Sequence, residues 1–141
     1  MKIVTSRLWI TLCWTIGSSL VFLPLILQSQ SGSWSDKDEE IIWAWAIPAI
    51  FPVLSLVVGV HAAEALSPKK DDRTVSFFFF VLTLGICLAY LSAVLSVVIR
   101  PAIDPTFSVA MLIHKSGRWL GVFQGLVTAT FGIFYVHKRR N

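Results

Sequence analysis

Four long apolar segments separated by short polar stretches dominate the pattern of this chain. They cover residues 8–27, 41–60, 75–99 and 119–136, and none has a charged side chain in its middle. Each is close to or above the roughly 20 helical residues that cross about 30 Å of hydrocarbon. The pattern therefore predicts an all-α membrane protein with four transmembrane helices, in which residues 1–141 form a single domain.

The polar stretch between the third and fourth apolar segments has a pattern of its own. Asp104-Pro105 fits a helix start, because an acidic side chain caps well and proline suits the first helical position. Helical spacing then relates three later residues, Phe107, Met111 and His114. We expect a short amphipathic helix in this third loop, on the outer face of the membrane. It would either read an external ligand or seal the bundle as a lid, with the acidic first loop, residues 34–40, as its neighbour.

The composition supports a bilayer rather than water as the surrounding solvent. The chain is 55% hydrophobic and only 14% charged, whereas a soluble domain carries roughly a quarter charged residues. The formal net charge is +4, but the basic residues lie at the ends of the apolar segments, where membrane topology places them. We therefore expect contact with membrane lipid and no direct contact with nucleic acid.

The basic residues also predict an orientation. Eight lie in the N-terminus, the second loop and the tail: Lys2, Arg7, Lys69, Lys70, Arg73, Lys138, Arg139 and Arg140. The other two loops hold four: Lys37, Arg100, Lys115 and Arg118. This bias places both termini in the cytoplasm and indicates a multi-pass protein of the cell membrane, most simply a bacterial inner membrane. The basic groups of the second loop and the tail would contact either lipid headgroups or a cytoplasmic protein partner.

Small residues recur at close helical spacing in the last two apolar segments. In the fourth they are Gly121, Gly125, Thr128, Ala129 and Gly132, and in the third Gly85, Ala89 and Ala93. Such residues let two helices approach closely where lipid supplies no hydrophobic drive for association. Two interpretations stay open. The stripes pack inside one bundle, or one of them faces another copy in a homo-oligomer.

Three features inside the second and fourth segments add polar or kinking character. Pro48 and Pro52 each remove a backbone hydrogen bond and predict a kink, which serves either as a gate or as ordinary packing. His61 and Glu64 lie three residues apart and would share a helix face at the cytoplasmic interface. Gln124 would hydrogen-bond across helices or line a polar path. In the first segment, Trp14 lies deep and is predicted to pack between helices.

The chain offers no pattern of catalytic or metal-binding residues. No nucleophile lies near a base, no ligands have metal spacing, and no glycine-rich phosphate loop occurs. Cys13 and Cys87 lie within apolar segments, as small buried hydrophobic residues do. We expect no enzyme, no cofactor and no metal.

Three functional hypotheses fit these observations. The first is a membrane-embedded sensing subunit that oligomerises and passes a signal from the membrane or its outer face to a cytoplasmic partner. The second is a small oligomeric pore, channel or transporter that uses Pro48, Pro52 and Gln124. The third is an immunity protein that blocks a pore-forming toxin within the membrane.

In span count, size and lack of a soluble domain, the whole chain resembles KwaA, the four-span membrane subunit of the bacterial Kiwa anti-phage defence system. Colicin-type immunity proteins have a similar architecture. The resemblance to KwaA implies a cytoplasmic partner that binds DNA and a role in detecting phage at the cell envelope, hence in antiviral defence. It transfers no individual residue, because the resemblance rests on architecture and not on a motif.

Overall fold

The computed structural model describes residues 2–66, 74–104 and 106–135, with the side chains of 63–65 and 133–135 left out. Four long helices form nearly all of this part: α1 (Ile3–Gln30), α2 (Asp36–Ala65), α3 (Phe77–Ile103) and α4 (Val109–Tyr135). Within these ranges there is no strand, only a single bridge pair between Lys2 and Thr74. The predicted cytoplasmic contacts Lys69, Lys70, Arg73, Lys138, Arg139 and Arg140 lie outside the described residues.

Three of the four helices are long and apolar enough to cross a membrane: Ile3–Gln30, Asp36–Ala62 and Phe77–Ile103. Large apolar side chains also cover their outer surfaces, as Leu20 (53% exposed) and Phe78 (74% exposed) illustrate. Helices that are apolar all round belong in lipid or in a large core. This supports the predicted membrane protein for α1, α2 and α3. The fourth helix is not among these candidate spans.

Helix α4 differs from the prediction for the third loop. The expected separate amphipathic helix is wrong, because residues 109–118 are the first third of one continuous 27-residue helix. No proline interrupts this segment, and its single glycine, Gly117, costs a helix only about 1 kcal/mol relative to alanine. Val109, Ile113 and Leu120 are buried at helical spacing, while His114, Lys115 and Arg118 between them are exposed.

The turn between α3 and α4 also corrects the predicted role of Asp104. Helix α3 continues through Pro101, and Asp104 ends it by donating its N–H to the carbonyl of Arg100 at 2.9 Å. Ser108 caps α4 instead, since its hydroxyl accepts the N–H of Met111 at 3.1 Å. The Ser108 hydroxyl lies three residues before Met111, the usual spacing for a cap. Asp104 does not cap α4, because its carboxylate accepts hydrogen bonds from Thr106 instead.

The helices follow one another around the bundle in the order α1, α3, α4, α2, and the contact between α1 and α2 is the smallest. The loops after α1 and α3 lie at the same end, where they line one cavity with the first turns of α2 and α4. Helices α2 and α4 therefore run parallel, and both run antiparallel to α1 and α3. We call this end the cleft end; the opposite end holds Lys2 and Thr74.

An aromatic cluster occupies the centre of the bundle, as the depth of Trp14 predicted. The ring of Trp14 is fully buried and lies 5.9 Å from the ring of Tyr90 and 5.8 Å from that of Phe131. These three side chains come from α1, α3 and α4. Offset and edge-on aromatic pairs at such separations add about 0.5–1.5 kcal/mol beyond area burial.

The glycine that lets two helices approach closely is Gly17 on α1. A methyl group built at Gly17 would lie 2.5 Å from Leu91 Cδ1 on α3. The predicted stripes behave differently, because no neighbouring atom lies within 4 Å of a methyl group built at Gly85, Gly121 or Gly125. The space around Gly132 is open in the same way. Of the other predicted stripe residues, three are exposed (Ala89, Thr128 and Ala129) and Ala93 is half-buried. These glycines therefore do not serve packing inside the described bundle, and contact with another copy stays a prediction.

Candidate functional site

The two loops at the cleft end enclose a cavity of about 450 Å³, which we call the loop cleft. Its lining comes from all four helices and both loops: Gln28, Ser33, Trp34, Asp38, Ile42, Pro101, Ala102, Phe107, Ser108, Val109 and Ala110. The prediction that the acidic first loop lies beside the third loop is confirmed by this shared lining. The cleft combines aromatic walls with amide, hydroxyl and carboxylate groups, a mixture typical of ligand sites.

Local capping positions the acidic wall of the loop cleft. The hydroxyl of Ser35 accepts the N–H of Asp38 at 3.3 Å and donates to its carboxylate at 2.8 Å. The first bond caps the start of α2, and the second joins the two side chains, so together they hold the first turn of α2. The carboxylate of Glu39 accepts a hydrogen bond from Ser29 at the end of α1. Gly32 makes the intervening turn with a φ of 65°, a value that glycine adopts without strain.

The opposite wall of the loop cleft is the turn between α3 and α4. Both the N–H and the hydroxyl of Thr106 donate to Asp104 Oδ1, at 3.0 and 2.7 Å. The guanidinium carbon of Arg100 lies 4.6 Å from the centre of the Phe107 ring, within the range of a cation–π interaction. Among the described residues, Arg100 forms no ion pair with the first loop, so this contact replaces the ion pair that the opposite charges suggest.

The pKa of the Asp104 carboxyl should lie below the ordinary range for aspartate. The Thr106 hydroxyl and amide hold the pKa of the Asp104 carboxyl below its usual value, and the Arg100 charge acts in the same direction. Because the folded pKa is the lower one, the carboxylate stabilises the turn above the ordinary pKa of about 3.9. That contribution is lost as the pH falls through the folded value.

The Thr106 amide proton reports this titration in an NMR experiment on the micelle-solubilised protein. Its midpoint should lie below about 3.9 in the wild type, and Asp104→Asn should abolish the pH-dependent shift. A midpoint at or above the ordinary aspartate value would contradict the assigned hydrogen bonds.

The four predicted outer-face residues therefore have different roles. Phe107 lines the loop cleft, and Asp104 shapes the turn beside it. Met111 and His114 are exposed on the first two turns of α4 and do not line the loop cleft. The sequence predicted that the first loop lies beside the third, but it did not reveal that Trp34, Asp38 and Phe107 line one cavity.

A second cavity, of about 460 Å³, lies between the parallel helices α2 and α4, and we call it the membrane cleft. Its lining residues are Ile41, Ala44, Trp45, Pro48, Ala49, Tyr90, Gly117, Leu120, Gly121 and Gln124. None of them is charged, and the α2 part lies within a candidate span. Three of the residues singled out in the sequence, Pro48, Gly121 and Gln124, line this cleft.

Polar side chains reach the backbone of α2 at the prolines. Gln124 Nε2 donates to the carbonyl of Pro48, and the Tyr90 hydroxyl donates to the carbonyl of Ala49 at 2.8 Å. The Pro48 carbonyl needs an outside donor because Pro52, four residues later, has no N–H. The helix itself continues through both prolines. Gln124 therefore acts in the way that the sequence favoured, as a hydrogen bond between helices.

The opposite end of the bundle is held by contacts that the sequence did not reveal. Thr11 on α1 and His61 on α2 form a side-chain hydrogen bond of 2.8 Å. The predicted neighbour of His61, the Glu64 side chain, lies outside the described residues. Arg7 is buried at 5% exposure, although its position near a helix end favoured an interfacial side chain.

Within 2–66, 74–104 and 106–135 there is no group of three His, Cys, Asp or Glu side chains that could hold a metal ion. Cys13 and Cys87 are both free thiols.

Comparison with known proteins adds no further constraint. The chain matches no protein-family model, and neither a curated protein nor a solved structure is detectably similar to it.

Proposed function

We propose that this protein is a non-enzymatic membrane subunit that binds a ligand at the loop cleft and couples that event to a cytoplasmic partner. The loop cleft is the observation that carries the proposal. It lies between two loops and the ends of all four helices, so a ligand there contacts every helix of the bundle. Each loop joins one pair of helices, so a change in the spacing of the two loops shifts α1 and α2 relative to α3 and α4.

The contacts along the bundle support transmission over this distance. Helices α2 and α4 both begin at the loop cleft, and Gln124 joins them about halfway along. At the opposite end, His61 on α2 contacts Thr11 on α1. Movement of α2 at the cleft end therefore reaches a specific contact near the predicted cytoplasmic face.

The proposal includes a fourth membrane span and a topology with both termini in the cytoplasm. Helix α4 packs along α3 and α2 and buries Val127 and Phe131 in the core. Its 27 residues extend about 40 Å, as far as the other helices. A helix packed along its neighbours over this length crosses with them, and its polar first turns lie at the cleft-end interface.

The second loop and the tail form the docking surface for the partner in this proposal. Their basic side chains, Lys69, Lys70, Arg73, Lys138, Arg139 and Arg140, lie on the same side of the membrane under the predicted topology. An acidic patch on a soluble protein would complement them. The architectural resemblance to KwaA adds anti-phage defence as the biological setting. The small residues of α4, with open space at Gly121 and Gly125, extend the proposal to a homo-oligomer.

Charge reversal in the second loop tests the docking surface. The triple variant Lys69→Glu, Lys70→Glu, Arg73→Glu should lose a partner that co-purifies with the wild type in mild detergent, because opposite charges become like charges. Assembly of the membrane subunit itself should be unchanged on size-exclusion chromatography.

The matched control reverses three exposed basic residues at the cleft end, Lys37→Glu, Lys115→Glu and Arg118→Glu. It makes the same change in net charge and should retain the partner. If the partner remains bound to the second-loop variant, or if both variants lose it equally, the inner face is not the docking site. A pure homo-oligomer that conducts ions in liposomes would contradict the sensing function altogether.

A further inference from the structure

The membrane cleft has a backbone acceptor whose usual donor is missing. Pro48 has no N–H, so the carbonyl of Ala44 cannot accept the normal helical hydrogen bond from four residues later. Helical carbonyls point along the axis toward residue i+4, and both Ala44 and Pro48 line the cleft. A residue that lines the cleft within a candidate membrane span therefore has a carbonyl without its helical donor. An unsatisfied carbonyl in hydrocarbon costs several kcal/mol.

One turn further along, the protein meets the same need with a side chain. Pro52 deprives the Pro48 carbonyl of its donor, and Gln124 Nε2 on α4 supplies the replacement. Helices α2 and α4 run parallel, and Gln124 lies beside Pro48. Ala44, four residues before Pro48, therefore lies level with the α4 residues three to four positions before Gln124. Gly121 lies there, and no neighbouring atom lies within 4 Å of a methyl group built on it. The cleft thus has a gap where a donor is needed.

The remaining lining defines the chemistry of an occupant. The polar groups beside the gap are the Gln124 carboxamide and the Tyr90 hydroxyl, which both donate to α2 carbonyls. Ile41, Trp45 and Leu120 supply apolar walls, and no lining residue carries a charge. An occupant therefore has a neutral donor group at one end and an apolar body.

We propose that the membrane cleft binds a neutral, hydroxyl-bearing lipid, whose hydroxyl donates to the carbonyl of Ala44 and whose chain lies against Trp45 and Leu120. The cleft opens toward the bilayer between two helices, so a lipid enters it laterally. This site is separate from the loop cleft and does not depend on the function proposed for that cleft.

Oleyl alcohol in phosphatidylcholine nanodiscs is the probe, with its methyl ether as the ligand lacking the donor. Native mass spectrometry of the released protein measures the bound fraction. The alcohol should bind about tenfold more tightly than the ether, since a tenfold change corresponds to about 1.4 kcal/mol, the size of one hydrogen bond. Equal binding of alcohol and ether would overturn the proposal.

Two prolines of the same helix provide matched variants. Pro48→Ala restores the N–H for Ala44 and should weaken binding of the alcohol about tenfold. Pro52→Ala restores the donor for Pro48 instead and should leave binding within about twofold. Wild-type binding by Pro48→Ala, or an equal loss in both variants, would show that the Ala44 carbonyl is not the binding group.

A third variant keeps the test decisive if either proline substitution alters the helix. Gly121→Gln places a carboxamide in the open space opposite Ala44, as Gln124 does opposite Pro48. It should exclude the alcohol without lowering the thermal unfolding temperature, because the added carboxamide supplies the donor that the Ala44 carbonyl lacks. Binding of the alcohol at wild-type affinity to a folded Gly121→Gln variant would contradict the proposed position of the hydroxyl.

Discussion

Trp14→Ala should lower the free energy of unfolding of the micelle-solubilised protein by about 2–4 kcal/mol. The indole is fully buried and contacts the rings of Tyr90 and Phe131, so its removal leaves a cavity shared by α1, α3 and α4. The range lies below that for soluble cores, because lipid is as apolar as the core and only packing is lost. Unfolding in denaturing detergent, followed by circular dichroism, measures the change.

Two control substitutions separate packing from other effects. Trp9 is 56% exposed on the same helix, so Trp9→Ala should change stability by no more than about 0.5 kcal/mol. Trp14→Phe keeps most of the ring and removes an indole N–H that meets no oxygen or nitrogen acceptor. Because a buried donor without a partner costs about 1–3 kcal/mol, Trp14→Phe should cost much less than Trp14→Ala. Equal losses for Trp9→Ala and Trp14→Ala would contradict the central position of the cluster.

Gly17→Val should destabilise the bundle by about 1–3 kcal/mol, the usual effect of overpacking a close helix contact. A methyl group at Gly17 already lies 2.5 Å from Leu91 Cδ1, and a branched side chain has few rotamers with which to avoid it. The atoms it meets are the end of the Leu91 side chain, so Leu91 must change its rotamer or leave its buried position. The midpoint of unfolding in denaturing detergent reports the loss.

Gly85→Val is the matched control, on a helix that faces the same contact. The space around Gly85 is open, so the substitution should leave the stability of the single bundle within about 0.5 kcal/mol. If Gly85→Val costs as much as Gly17→Val, helix propensity rather than the α1–α3 contact explains the result. Gly121→Val extends the comparison, because a changed assembly state at unchanged bundle stability would support an interface between copies.

The sequence predicted some features well because they depend on local composition. Long apolar runs without central charges placed four helices, and three of them have the length and hydropathy of membrane spans. The depth of Trp14 in its run was enough to predict its position between helices. Gln124 was recognised because a carboxamide inside an apolar helix needs a polar partner.

Other predictions failed where local rules compete. Asp104-Pro105 has the form of a helix start, yet Asp104 ends α3 and Ser108 caps α4. Both residues are good caps, and the sequence alone does not rank two caps four residues apart. The separate amphipathic helix was predicted from the Asp104-Pro105 start signal and the spacing of the residues after it, but helices continue through polar residues when nothing breaks the backbone.

By itself, the sequence determined the all-helical architecture, the three candidate spans and the polar ends of the helices. Only the tertiary structure decided which helix faces meet. It selected Gly17 rather than Gly121 for close packing, left a cavity between the two neighbouring loops, and placed Gln124 at the carbonyl that Pro52 leaves without a donor. The reason is physical. Helices that are apolar on every side carry no periodic signal of their buried face, so shape and hydrogen bonding between neighbours choose it.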